Sequence, residues 1–378
     1  MLTRRDLKEK AMALGFADFG VCDASLFETH AQILEERKSY YDWVYKLGID
    51  LSTGTDPAAI LPEARSIIVV LGHYFDTGFP PEMENHFGRC YLDDDRVTKD
   101  GLSRKIKAFR SFLGDAGIQS KVPFHLPHRV AAARAGLGTF GKNCLFYANR
   151  AAAGGSWTLP IAIVVDEPFE PDEPTVEIGC PDWCHNTCLV ACPTGALKGP
   201  CKIDPRRCIS YLTYFGGDVT PEELREPMGL WVYGCEHCQN VCPRNRAWLA
   251  RSRFFPVNEK VAGMAPYFSL PALLHMDISY FEAHVQPHMF YMPSAELWRW
   301  KMNAARAMGN TLDPVYIDDL DKAVTREPDE RVRKMCAWAL GRIGGKRAKD
   351  ALEIQMRKKD PVMDHELKQA LGRLGGTG

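Results

Sequence analysis

The 378 residues carry 47 Lys and Arg against 48 Asp and Glu, a net charge of -1, with 46% hydrophobic and 25% charged residues. That is the balance of a soluble globular chain, and it excludes an overall field drawing the molecule to nucleic acid or an anionic membrane; any such attraction must be local. The length suffices for two or three domains with their own cores, so the 13 cysteines are not needed as staples, and a reducing, cytoplasmic setting is expected.

Thr3-Arg4-Arg5-Asp6-Leu7-Lys8 has the outline of a twin-arginine export signal, but Glu9 and Lys10 follow where an apolar stretch is required, so that reading is rejected. No apolar run reaches the ~20 residues of a membrane span, and no membrane partner is expected. Thr3 with Asp6 predicts a capped helix through Leu14, closed by Gly15. Residues 16–21 read as a strand, and Ser66-Ile67-Ile68-Val69-Val70-Leu71 as a buried one. Residues 102–113 have helical periodicity, and 130–134 look helical before Gly136-Leu137-Gly138. A second buried strand, Ile161-Ala162-Ile163-Val164-Val165, ends the segment. Residues 1–170 therefore read as an α/β domain, joined to the next by a Pro- and acid-rich linker at 167–174.

Residues 171–250 hold the densest chemistry. Cys180, Cys184, Cys188 and Cys192-Pro193 are followed by Cys208 and by Cys235, Cys238 and Cys242-Pro243. Soft thiolates suit iron, and a run ending C-x3-C-P is the mark of a ferredoxin-type module whose fourth cysteine ligates the other run's cluster. On that rule one [4Fe-4S] cluster takes Cys180, Cys184, Cys188 and Cys242, and a second takes Cys192, Cys208, Cys235 and Cys238. A pair of four-cysteine zinc sites is the competing reading, although zinc has no need of the Pro or the three-residue gap. The C-x3-C spacing from Cys180 to Cys184 requires a bulged loop and leaves Cys201 as a substitute for Cys180. Cys22, Cys90, Cys144 and Cys336 read as buried thiols.

Residues 251–300 read as a helical connector. In 301–378, Ala307-Met308-Gly309, Ala339-Leu340-Gly341 and Ala370-Leu371-Gly372 recur every 31 to 32 residues, the period of a HEAT-like helical solenoid. From Arg331 onward there are 12 Lys or Arg against 5 acids, either a solvated helix surface or a basic face for RNA.

Ile203-Asp204-Pro205-Arg206-Arg207-Cys208-Ile209-Ser210-Tyr211, Tyr233-Gly234-Cys235-Glu236-His237-Cys238-Gln239, Val241-Cys242-Pro243, Ala135-Gly136-Leu137-Gly138 with Gly141-Lys142-Asn143, Gly155-Ser156-Trp157 and Asn303-Ala304-Ala305 together resemble the epoxyqueuosine reductase family along nearly the whole chain. The resemblance implies a cobalamin-binding, nitroreductase-like N-terminal domain related to that of reductive dehalogenases, with two [4Fe-4S] clusters feeding cobalt. It implies reduction of epoxyqueuosine in tRNA, or of another substrate by a paralogue. A corrinoid would be contacted by Gly136, Leu137, Gly138, Gly141, Lys142, Asn143, Ser156 and Trp157, where small residues let backbone approach a large flat ligand. An electron donor of flavodoxin or ferredoxin type, tRNA on the basic repeats and a monomeric state are further expectations. The family's catalytic Asp, expected shortly before Ala135, is missing, for no Asp or Glu lies between Asp115 and Asp166. His125 and His128 are the candidate acids in that stretch, with Tyr91 as a second choice. The alternative reading is an electron-transfer or corrinoid-activating protein without substrate chemistry of its own.

Overall fold

The structure, a computed structural model, describes residues 2–375 apart from 47, 93–98, 100, 151–154, 176–177 and 290–291. The first helix, Arg4–Ala13, starts in a reciprocal capping box: the Asp6 carboxylate accepts from the Thr3 N–H at 2.8 Å, and the Thr3 hydroxyl accepts from the Asp6 N–H at 3.3 Å. Gly15, at φ +79°, closes it.

Strands β1 (Asp18–Asp23), β2 (Ser66–His73) and β3 (Ser120–Lys121) join a later strand, Thr158–Val165, in a four-stranded sheet. A hairpin of β4 (Gly138–Phe140) and β5 (Phe146–Ala148) precedes that strand, which is β6. The order is β1-β2-β6-β3, and every pair is antiparallel. Both faces of the sheet are covered. Ile68 and Val70 pack with Leu7, Phe109 and Leu113 from the helices Arg4–Ala13 and Leu102–Asp115. Ile67, Val69 and Leu71 pack on the other side with Ala131, Ala132 and Leu137, beneath the helix His128–Arg134. Double coverage explains the uninterrupted apolar runs of β2 and β6.

β7 (Leu197–Gly199) and β8 (Lys202–Ile203) form a small ribbon inside the cysteine region. Beyond it the helices Leu297–Thr311, Ile317–Arg326, Glu330–Ile343, Gly345–Arg357 and Asp364–Gly375 stack as the 31-residue recurrence predicts. The glycines of the first two repeats are where the next helix crosses. A Cβ on Gly309 would stand 2.8 Å from the Ala339 Cα, and one on Gly341 2.8 Å from the Ala370 Cα.

The repeats are not a separate appendage. One core runs from Phe75, Met83 and Phe87 through Trp157 and Tyr233 to Trp300 and Trp338. Leu297–Thr311 also grips main-chain carbonyls of the cysteine region. Asn303 Nδ2 donates to the Thr213 and Val232 carbonyls at 2.8 and 3.0 Å, Arg299 Nε to Gly216 at 2.8 Å, and Asn310 Nδ2 to Arg225 and Gly229, both at 2.9 Å. Among the described residues no helix is long and apolar enough to cross a membrane.

Candidate cluster and cofactor site

The cysteines gather in two neighbouring sets. Burial, and behind it the charges of Cys242, Cys184 and Cys180, push the Cys188 thiol up to about 11. Burial raises the Cys238 thiol as well, followed by Cys208, Cys188 and Cys192. Burial also raises the Cys235 thiol, with Cys208 and Cys238 adding to it. Cys180, Cys184 and Cys242 are therefore near Cys188, Cys192 and Cys208 near Cys238, and Cys188 and Cys238 near each other. Among the described residues no three Cys, His, Asp or Glu side chains converge on one point as ligands of a single ion do.

The donor chemistry fits thiolate ligands. Main-chain N–H groups aim at sulfur: Lys142 N at Cys180 Sγ and Ala196 N at Cys192 Sγ, each at 3.3 Å, those of Tyr211 and Ser210 at Cys208, and that of His237 at Cys235. Such bonds favour the anionic sulfur that a cluster needs. The extra residue between Cys180 and Cys184 is absorbed by the 3-10 turn Asp182–Cys184, after which His185 and Asn186 both take left-handed backbone at φ 47° and 59°. Cys201 lies beside Cys180, but its Sγ donates to the Gly141 carbonyl at 3.4 Å and it is not among the neighbours that shift Cys188.

The second set opens on a cavity of about 260 Å³. Cys192, Cys208, Cys235 and Cys238 line one wall; Tyr74, Arg129 and Thr158 come from the N-terminal domain, and Tyr91 and Tyr214 complete it. The Tyr91 and Tyr214 hydroxyls are 3.1 Å apart. Thr158 Oγ1 is buried there without a hydrogen-bond partner, as expected of a wall built for a polar ligand. Glu236 also reaches the cavity, its carboxyl raised to about 7 by burial against the pull of Arg89, whose main-chain N–H it accepts at 2.6 Å.

Of the residues expected to contact a corrinoid, Asn143 and Ser156 line this cavity. The others face protein. Leu137 and Trp157 are core residues, and Lys142 Nζ donates to Asn186 Oδ1 at 2.8 Å. The missing Cβ of Gly136 makes room for the Glu173 carbonyl, that of Gly138 for the Tyr147 carbonyl, and that of Gly141 for the Tyr147 ring. Among the candidate acids only Tyr91 is on the cavity wall. His128 is clamped by main chain: Nδ1 accepts from the Ala162 N–H at 2.9 Å and Nε2–H donates to the Pro123 carbonyl at 2.8 Å. Burial lowers its pKa, so it is a neutral structural imidazole. His125 packs its carbonyl over Gly54 and does not line the cavity. Arg129, next to His128, is the cavity residue that helical periodicity hid, since exposed arginines on short helices carry no local signal.

Residues 182–245 match the family model for a 4Fe-4S double cluster binding domain, and residues 294–372 that for HEAT repeats. The first match begins beyond Cys180. The epoxyqueuosine reductase of Staphylococcus aureus strain NCTC 8325 is 30% identical over 384 residues, which span 97% of this chain and 96% of the relative. The chain belongs to the epoxyqueuosine reductase family. The family's Escherichia coli K12 member is 29% identical across 94% of both chains. A solved epoxyqueuosine reductase bound to an epoxyqueuosine-modified tRNA-Tyr stem loop superposes with a TM-score of 0.82 at 27% identity, covering 99% of both chains. The Bacillus subtilis family member, solved with its catalytic aspartate loop swung out of the active site, gives 0.80 at 27% identity over 98% of both. The match to a double-cluster domain favours iron-sulfur clusters over the zinc reading.

Proposed function

We propose that this chain is an iron-sulfur and cobalamin-dependent reductase acting on epoxyqueuosine in tRNA. The observation that carries the reading is the shared wall: the cysteines proposed for the second cluster line the same cavity as Tyr91, Arg129 and the unpartnered Thr158 hydroxyl. Family membership supports the substrate, and the relative solved with a modified tRNA stem loop supports the polymer that carries it.

In this reading Cys180, Cys184, Cys188 and Cys242 hold one [4Fe-4S] cluster, and Cys192, Cys208, Cys235 and Cys238 the other. The N-terminal domain, nitroreductase-like in this proposal, and the cysteine region hold a corrinoid between them, with Asn143 and Ser156 among its contacts. A bound corrinoid supplies a low-potential metal centre able to pass electrons to carbon, chemistry that no side chain offers. The chain's own part is to orient, exclude water and deliver protons. Removing an epoxide oxygen as water takes two electrons and two protons. Tyr91 is the proposed proton donor, since it lines the cavity and the Tyr214 hydroxyl can replenish its proton across 3.1 Å. Arg129 places a fixed cation on the same wall. Electrons come from a flavodoxin- or ferredoxin-type protein.

A paralogue with a different substrate is favoured by one observation, the lack of any Asp or Glu between Asp115 and Asp166. Tyr91→Phe tests the donor. Turnover should fall at least tenfold while cluster and corrinoid absorbance stay at wild-type levels, and unchanged turnover would remove the tyrosine from the chemistry.

A further inference from the structure

Arg244 follows Cys242 by two residues and is held in one place by neutral partners. Its Nη2 donates to Thr139 Oγ1 at 2.9 Å, and its guanidinium lies 4.3 Å from the centre of the Tyr147 ring. Its Nη1 is buried without a hydrogen-bond partner and points at the turn before Cys180, where a Cβ on Gly179 would come within 3.2 Å of it. Tyr147 in turn accepts from Asn143 Nδ2 at 2.9 Å and lies near Cys242. Beside the other cysteine set, Glu236 next to Cys235 is paired with Arg89, and Arg129 lines the same cavity.

We propose that Arg244 is a positioning cation for the cluster held by Cys180, Cys184, Cys188 and Cys242, raising that cluster's reduction potential. The inference rests on the ligand sets proposed above. An added electron makes a cluster more negative, and a fixed positive charge in a poorly screened surrounding stabilises that form. Guanidinium is suited to the task because it does not lose its proton in proteins.

The test is an EPR-monitored redox titration of the full chain, reconstituted anaerobically with iron and sulfide and reduced stepwise with dithionite and mediators. The wild-type chain should show two components at separate potentials. In Arg244→Met and Arg244→Gln one component should fall by about tenfold in its one-electron equilibrium, ~59 mV, while the other stays. Arg244→Lys, which keeps the charge and loses the planar stack, should remain within about threefold of wild type. Unmoved components in the neutral variants, or equal shifts of both, would overturn the proposal. Failure of both neutral variants to load clusters, with the lysine variant loading normally, would also overturn it by assigning Arg244 to folding. A wild-type chain without cubane signals would overturn the ligand sets and this inference together.

Discussion

Gln239 donates from Nε2 to the Ser156 hydroxyl at 3.0 Å, tying the cysteine region to the N-terminal domain at the cavity wall. Asn245 Nδ2 donates to the same oxygen at 2.7 Å. Ser156→Ala removes one acceptor from each amide, leaving Gln239 the Ser156 carbonyl at 3.3 Å and the Tyr74 hydroxyl at 3.2 Å and Asn245 the Gln239 carbonyl at 3.0 Å, and should cost ~1 kcal/mol. A lower denaturation midpoint of the cluster-loaded chain, with weaker corrinoid binding by absorbance titration, is the expected outcome; an unchanged midpoint would show that the remaining acceptors suffice.

Arg225 and Glu366 join the cysteine region to the last helix through two nearly parallel bonds of 2.6 and 3.1 Å, with both side chains buried. Glu366→Gln leaves a buried guanidinium without its counter-charge, and a loss of ~3–5 kcal/mol is expected in chemical denaturation. The paired replacement Arg225→Met with Glu366→Leu should cost distinctly less, because neither charge is then stranded.

The helix crossings in the repeats make Gly309 and Gly341 intolerant of side chains. Gly341→Val would drive methyl groups into the Ala370 backbone, where even a Cβ meets the Cα at 2.8 Å. The expected loss is ~1–3 kcal/mol or more, seen as a lower unfolding temperature, with Gly372→Val as the control because nothing lies within 4 Å of a Cβ there.

His128 gives the structure a pH dependence of known sign. Burial lowers its pKa below the ordinary 6.5, so the unfolded chain binds a proton that the folded chain refuses. The contribution is intact above 6.5 and is lost as pH falls from 6.5 towards the lower folded value. His128→Gln should flatten that part of the stability profile, and should cost ~1–3 kcal/mol at pH 8 by orphaning either the Ala162 N–H or the Pro123 carbonyl. A profile of unchanged slope would contradict the assignment of a neutral, clamped imidazole.

Much of this was legible in the chain. The runs at 66–71 and 161–165 are apolar on both faces because helices cover both faces, and the Ala-x-Gly recurrence marks the helix crossings themselves. The cysteine spacing carries its own chemistry. What stayed hidden was the identity of close neighbours. Gly136 and Gly138 signal a near approach, and the groups nearest their missing Cβ positions are the Glu173 and Tyr147 carbonyls. The cavity joins Tyr74, Arg129, Thr158 and Gln239 across more than a hundred residues, and no local period records that meeting. Part of the basic excess after Arg331 is paired with acids, among them Asp360 for Arg333, Glu226 for Arg342 and Glu222 for Arg373.

The central claim is that this chain reduces epoxyqueuosine although the stretch before Ala135 lacks an acid. The most direct measurement is a single-turnover reaction of the anaerobically reconstituted chain, with clusters and cobalamin loaded, on a tRNA stem loop carrying epoxyqueuosine, digested and read by mass spectrometry. Conversion to queuosine, slowed by Tyr91→Phe and sustained in His125→Ala, is the predicted result. A fully loaded chain that leaves epoxyqueuosine intact would contradict the account and assign the cavity to another substrate.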